Sequence, residues 1–132
     1  MLVIIYSALI SYMVFFSLCI APPINIVLDR KNSSLLLRKI FPRNFWFGIY
    51  LSFLSAIISL YQENILSMFL SIFILISFLI NLYVLMPLIN VEADLLKKAK
   101  SYSKKFKILH LISVILYLVN IIISTISLFL IV

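Results

Sequence analysis

Residues 44–91, NFWFGIYLSFLSAIISLYQENILSMFLSIFILISFLINLYVLMPLINV, carry a single charged side chain, Glu63, and its position decides the fold. A bilayer core about 30 Å thick needs about 20 mostly apolar residues per spanning helix. The run is about twice that length, and Tyr61-Gln62-Glu63-Asn64 breaks it near the middle. It therefore predicts two antiparallel spanning helices, 44–62 and 65–87, joined by a tight turn. On either side lie two more uncharged stretches, Met1 to Leu28 and Ile108 to Val132, which predict helices over 2–21 and 108–131. The first stretch lacks the basic n-region of a cleaved signal peptide and exceeds its usual apolar run of about 7–15 residues, so it reads as a spanning helix. Leu18 before Cys19 also departs from a lipoprotein cleavage site, which needs a small residue there, and Cys19 reads as an apolar filler.

Composition agrees. The chain of 132 residues is 65% hydrophobic and 11% charged, against about 45–50% and about 25% in soluble domains. Mean hydropathy is +1.26 and the pI is near 9.7. The net charge of +7 comes from 11 basic and 4 acidic residues. Every basic residue lies in one of two connections. Arg30, Lys31, Arg38, Lys39 and Arg43 lie between helices 1 and 2; Lys97, Lys98, Lys100, Lys104, Lys105 and Lys107 lie between helices 3 and 4. Both connections fall at the same end of the bundle, so the positive-inside rule puts them in the cytoplasm and both termini outside, as in a bacterial inner-membrane protein. The charge thus reports topology and headgroup contact, for Arg38, Lys39, Arg43, Lys104, Lys105 and Lys107 above all, and no nucleic-acid partner is expected. Residues 32–41 predict a short amphipathic helix capped by Asn32 or Ser33, with Pro42 opening helix 2. In the second connection Leu95, Ala99, Tyr102 and Phe106 continue the stripe of helix 4 outward, so that helix is expected to project beyond the bilayer.

A shift of 65 residues aligns the two halves, about 1–65 and 66–132, without gaps. Pro22-Pro23-Ile24-Asn25-Ile26-Val27-Leu28-Asp29 lies over Pro87-Leu88-Ile89-Asn90-Val91-Glu92-Ala93-Asp94, and ten residues are identical over 22–59. The fold class that follows is an all-α membrane protein, a four-helix transmembrane bundle of two parallel-repeat hairpins. Pro22 and Pro87 each remove a backbone donor, and are expected to end or bend helices 1 and 3. Asn25 and Asn90 would then bind the freed carbonyls. Salt bridges with nearby lysines and arginines explain Asp29 and Asp94 without catalysis.

Polar residues recur at helical spacing inside the spans. His110, Ser113, Tyr117, Asn120, Ser124 and Ser127 share one face of helix 4, and Gly48, Ser52, Ser55, Ser59 and Gln62 share one face of helix 2. Asn81 adds an amide in helix 3. Such stripes commonly serve as packing and hydrogen-bonding glue between membrane helices. The candidate intramembrane site is accordingly His110, Ser113, Tyr117, Asn120, Asn81 and Ser55. No residue is assigned a catalytic or metal-binding role, because one histidine and one cysteine make a poor ligand set. His110 reads as an interfacial histidine; the alternatives are a haem ligand, needing a second subunit for bis-histidine ligation, or a proton relay. Glycine-rich phosphate loops, H-E-x-x-H and C-x-x-C are absent from the sequence.

Several segments together resemble one family. Ala21-Pro22-Pro23-Ile24 follows helix 1, and Ile40-Phe41-Pro42-Arg43-Asn44-Phe45 precedes helix 2. Asn81-Leu82-Tyr83-Val84-Leu85-Met86-Pro87-Leu88-Ile89 ends helix 3, and Phe106-Lys107-Ile108-Leu109-His110-Leu111-Ile112-Ser113-Val114 opens helix 4. In this order they resemble the transmembrane protein 205-like family, also called domain of unknown function 4149, over nearly the whole chain. That family is commonly richer in Gly and Trp within helix 1, where this chain has neither. The resemblance implies a small four-helix membrane protein without an established activity. More distantly the layout is similar to the CopD and HemJ-type membrane proteins, associated with copper handling and haem biosynthesis, and the segment around His110 is similar to their histidine segment. Three functions are therefore weighed. The first is a non-enzymatic protein that packs, contacts lipid or binds a partner. The second is a haem-linked redox protein using His110 in a homo-oligomer, and the third is a small oligomeric transporter or channel.

Overall fold

The computed structural model describes residues 1–95 and 103–132. Four long helices run through them: α1 (Leu2–Val27), α2 (Arg30–Tyr61), α3 (Ile65–Leu95) and α4 (Lys104–Ile131), each long and apolar enough to cross a membrane. The predicted residues Lys97, Lys98, Lys100, Ala99 and Tyr102 lie outside the described part. The helices pack in a ring, α1 on α2, α2 on α3, α3 on α4 and α4 on α1. Their outer faces are covered by exposed apolar side chains such as Ile4, Phe53, Phe69, Tyr83 and Phe129. Only a lipid bilayer can cover so much apolar surface around a bundle, so the chain is an integral membrane protein.

The interior is unusually polar. Ser52, Ser55, Ser59, Ser71, Asn81, Asn120, Ser124 and Ser127 have no exposed surface. Within a bilayer there is no hydrophobic drive between helices, so small hydroxyl residues that allow close approach take the inward positions. One such close approach is at Gly48, the single glycine. A Cβ there would collide with Tyr12 Oη of α1 and lie 2.5 Å from Cε2 and Cζ of Phe78 of α3. Beside it Phe16, Phe41, Phe45, Phe78 and Tyr117 form an aromatic cluster with ring centroids 5.4–6.4 Å apart, to which all four helices contribute.

The predicted spans are cores of longer helices, and two expectations about their ends are corrected. α1 does not stop at Pro22, nor α3 at Pro87. Each passes through a turn of π-helix just before the proline, Phe16–Ile20 in α1 and Asn81–Leu85 in α3. The Ala21 N–H donates to the Phe16 carbonyl and the Met86 N–H to that of Asn81, five residues back in both cases. The widened turn makes room for the proline ring and re-bonds the backbone, so the helix continues to Val27 in one case and at least to Leu95 in the other. The two π-turns stand 65 residues apart, in register with the internal sequence match.

Nor is 32–41 a separate helix. It is the first third of α2, which runs unbroken for 32 residues with Pro42 inside it. At about 1.5 Å per residue α2 is about 48 Å long, well beyond the bilayer core. Asp29, not Asn32 or Ser33, is the N-cap. The Asn32 amide donates instead to the Asp29 carboxylate, holding it below the usual carboxylate range. Ser33 Oγ donates to Asn25 Oδ1 at 2.8 Å, joining the end of α1 to the start of α2. Asn25 Nδ2 in turn donates to the Ala21 carbonyl at 3.3 Å. α4 begins at Lys104, four residues before its predicted span, where Ser103 Oγ accepts the Phe106 N–H at 3.1 Å; Leu95, expected to continue its stripe outward, is instead the last described residue of α3.

The α2–α3 turn falls where the sequence places it. Asn64 N–H bonds to the Ser59 carbonyl and Glu63 N–H to that of Leu60, a Schellman closure with Glu63 at φ 54°. Asn64 Oδ1 then caps α3 by accepting the Ser67 N–H at 3.0 Å. A side chain in the left-handed region costs about 1 kcal/mol that glycine avoids. Glu63→Gly should therefore raise the unfolding free energy in detergent by about 0.5–1 kcal/mol, read from thermal or denaturant midpoints.

Candidate functional site

The candidate polar residues do not form one site. Ser55 belongs to a hydroxyl chain that ties three helices together. Tyr6 Oη of α1 lies 2.7 Å from Ser71 Oγ of α3, which lies 2.8 Å from Ser55 Oγ of α2. Tyr6 Oη also lies 3.1 Å from the Ser67 carbonyl. Asn81, fully buried in α3, accepts a hydrogen bond from Ser113 Oγ of α4. Tyr117 Oη of α4 and the Asn44 amide of α2 meet at 3.0–3.3 Å. Asn120 stands alone, with its amide fully buried and neither amide atom bonded to a described residue.

His110, Ser113 and Tyr117 are brought together on the wall of a cavity of about 1070 Å³ at the basic end of the bundle. Ligand sites usually measure about 300–1,000 Å³. Its inner part is apolar, formed by Phe16, Phe41, Phe45 and Tyr117 from the aromatic cluster. Toward the basic end its wall carries Arg30, Arg38 and Lys107, together with Asn25 and Asn90. Among the described residues the lining includes three cations and no carboxylate. Along α2 the lining runs from Arg30 to Phe45, about 20 Å of helix.

Two ion pairs hold the basic end of α3 to its neighbours. Arg38 of α2 donates to Asp94 through Nη1 at 3.1 Å and Nη2 at 2.8 Å, and Nη2 also reaches the Asn90 carbonyl at 3.1 Å. Its Nε is buried and has no acceptor among the described residues. Lys105 of α4 pairs at 2.7 Å with Glu92, a carboxylate only 12% exposed. The salt bridge expected for Asp94 is therefore present. Lys39, Arg43, Lys104 and Lys107 are exposed at this end, where they can meet headgroups. His110 is also exposed, and its ring stacks on Phe106 with centroids 6.1 Å apart. Cys19 lies exposed in the π-turn of α1. Among the described residues no three His, Cys, Asp or Glu side chains gather to hold a metal.

Sequence reasoning missed the cavity and the aromatic cluster. The usable signal was the 65-residue match itself, since Asn25 and Asn90, and Phe41 and Phe106, are matched pairs that all line the cavity.

The polar groups separate by the sign of their effect on stability. Tyr117→Phe should cost about 1–2 kcal/mol, because it leaves the buried Asn44 amide without its partner. Asn120→Leu, of similar volume, should leave stability unchanged or raise it by about 1 kcal/mol, because it removes a buried amide with no protein partner. Unfolding of both variants in the same detergent checks the contrast.

Comparison with curated proteins gives no match, and comparison with solved structures gives none. A family model, Domain of unknown function (DUF4149), matches residues 4–94, from the start of α1 almost to the described end of α3. That is more than half of the chain, which therefore belongs to the DUF4149 family.

Proposed function

We propose that this membrane protein is a binding protein that holds one amphiphilic molecule in the cavity at its basic end. The cavity carries the reading: an aromatic, apolar interior of spanning-helix residues opens toward a rim of cations and amides. An amphiphile has the same polarity gradient, and a soluble polar metabolite or a wholly apolar one does not. The confinement of all 11 basic residues to two connections supports a cytoplasmic basic end with both termini outside, in the plasma membrane of a bacterium. On this reading the serine stripes serve packing, and His110, Ser113 and Tyr117 contribute to the cavity wall.

The experiment is native mass spectrometry of the full chain released from mild detergent. Wild-type protein should retain one lipid-sized adduct per chain, and Leu111→Trp, which fills the cavity from an exposed position on α4, should lose it. Equal adducts on both proteins would overturn the proposal.

A second reading, haem binding, is favoured by one observation: His110 and Met86 line the same cavity, and imidazole with thioether is an established axial pair. It requires a Soret band in protein purified from its own membranes, abolished by His110→Ala. A colourless preparation would rule it out.

A further inference from the structure

We infer that the amphiphile is an anionic, phosphate-headed lipid drawn sideways from the adjoining leaflet between the ends of α1 and α4. This rests on the amphiphile reading above and adds the headgroup, the source and the route. The headgroup follows from charge. The lining includes Arg30, Arg38 and Lys107 and no carboxylate among the described residues. Asp94 already engages both terminal nitrogens of Arg38, yet the buried Nε–H of the same side chain has no acceptor. A donor out of water and without an acceptor is costly, and an anionic oxygen relieves that cost. The Arg38 Nε–H and the Lys107 ammonium are two charged donors on this wall, and a phosphomonoester, with about −1.5 to −2 charge over three oxygens, can meet both where a carboxylate carries a single charge. Asn25, whose Nδ2 keeps one N–H beyond its bond to the Ala21 carbonyl, and Asn90 line the same cavity.

The route follows from which helices touch. On the far side of the π-turn, α1 packs closely along α4. Beyond it the segment Ala21–Val27 packs on α2 and makes no comparable contact with α4. The matching end of α3 is closed, by packing on α4, by the Glu92–Lys105 pair and by the Arg38–Asp94 pair to α2. Only the α1–α4 side lacks such ties among the described residues. There Leu111 and Leu118 line the cavity and remain 57% and 50% exposed. These side chains face bilayer, so an acyl chain reaches the cavity without crossing water. The cavity's length of about 20 Å along α2 accommodates a headgroup and much of one chain.

The test is a titration of delipidated full-length protein in neutral detergent, read by native mass spectrometry. The probes are 1-oleoyl-phosphatidate, the same lipid with a choline headgroup, oleate, and inorganic phosphate as competitor. The phosphomonoester lipid should bind at least about tenfold more tightly than the choline lipid or oleate. Lys107→Gln, an exposed change, should weaken it about fivefold and weaken the choline lipid, whose phosphate carries a single charge, by less. Leu111→Trp should abolish both. Equal binding of phosphate- and choline-headed lipids, or of oleate, would overturn this inference while leaving the amphiphile reading intact. Displacement by inorganic phosphate as effective as by lipid would assign the site to a soluble anion and overturn the lipid source. Failure of every lipid to bind would overturn both readings.

Discussion

The fold turns on a hydrogen bond that three prolines cannot make. Pro22, Pro23 and Pro87 have no N–H, and in a bilayer an abandoned carbonyl has no water to turn to. The chain answers with a π-turn immediately before each proline site, closing on Phe16 in α1 and on Asn81 in α3. A π-turn inserts a residue and so turns the following segment to a new face. Below it the helices no longer follow the packing that Leu2, Ile5, Leu9 and Met13 set in the upper half of α1. The tight, serine-lined half of the bundle and the open, basic half meet at that level. The cavity is a consequence of where the backbone had to be repaired.

The aromatic cluster makes this change of packing tolerable. Phe16 sits in the π-turn of α1, and its ring meets Phe41 of α2 and Tyr117 of α4. Phe45 and Phe78 complete the layer above Gly48's close contact. Flat rings in edge and tilted contacts fill space between diverging helices in a way that serines cannot, and each pair adds about 0.5–1.5 kcal/mol beyond its area. The same layer seals the closed half from the cavity and gives the cavity its apolar inner end. One set of side chains thus serves packing and site together.

The spans were legible because hydropathy is a bulk property: runs of about 20 uncharged residues separated by clustered charges mark four spanning helices. The turn at Gln62-Glu63 was legible for the same reason, as the only interruption. The helix ends were not, because the sequence signals that end a helix in water carry less weight here. Proline read as a terminator, yet neighbouring backbone re-bonded around Pro22 and Pro87, and Pro42 cost α2 a single bond within 32 residues. Asn32 and Ser33 read as caps, but Asp29 lies further upstream and is the cap itself. The inward phenylalanines were hidden among 11, since an apolar residue facing lipid and one facing a neighbour look alike in sequence. The polar stripes were legible as buried. Their division into packing groups such as Ser55 and Asn81 and cavity-lining groups such as His110 was not, because it depends on the depth at which the helices part.

The asymmetry between the two halves carries the functional argument. Two pairs 65 residues apart, Asn25 with Asn90 and Phe41 with Phe106, line the same cavity, yet the basic ends differ in how they are tied. In the second half, Glu92 and Asp94 supply carboxylates that bind α3 to α4 and α2. In the first half, the position matching Glu92 is Val27, which is 78% exposed, and Asp29 is spent on the start of α2. The ties close one side of the cavity and leave the other without an equivalent. A structure built only for packing would gain from the same pair on both sides, since each holds two helix ends together. Val27 in place of an acid instead keeps the end of α1 compatible with lipid contact and adds no carboxylate at this end of the cavity. The difference lies in the half whose terminal segment makes no contact with α4 comparable to that of α3, and such a one-sided opening suits the proposed uptake of an anionic amphiphile from one leaflet.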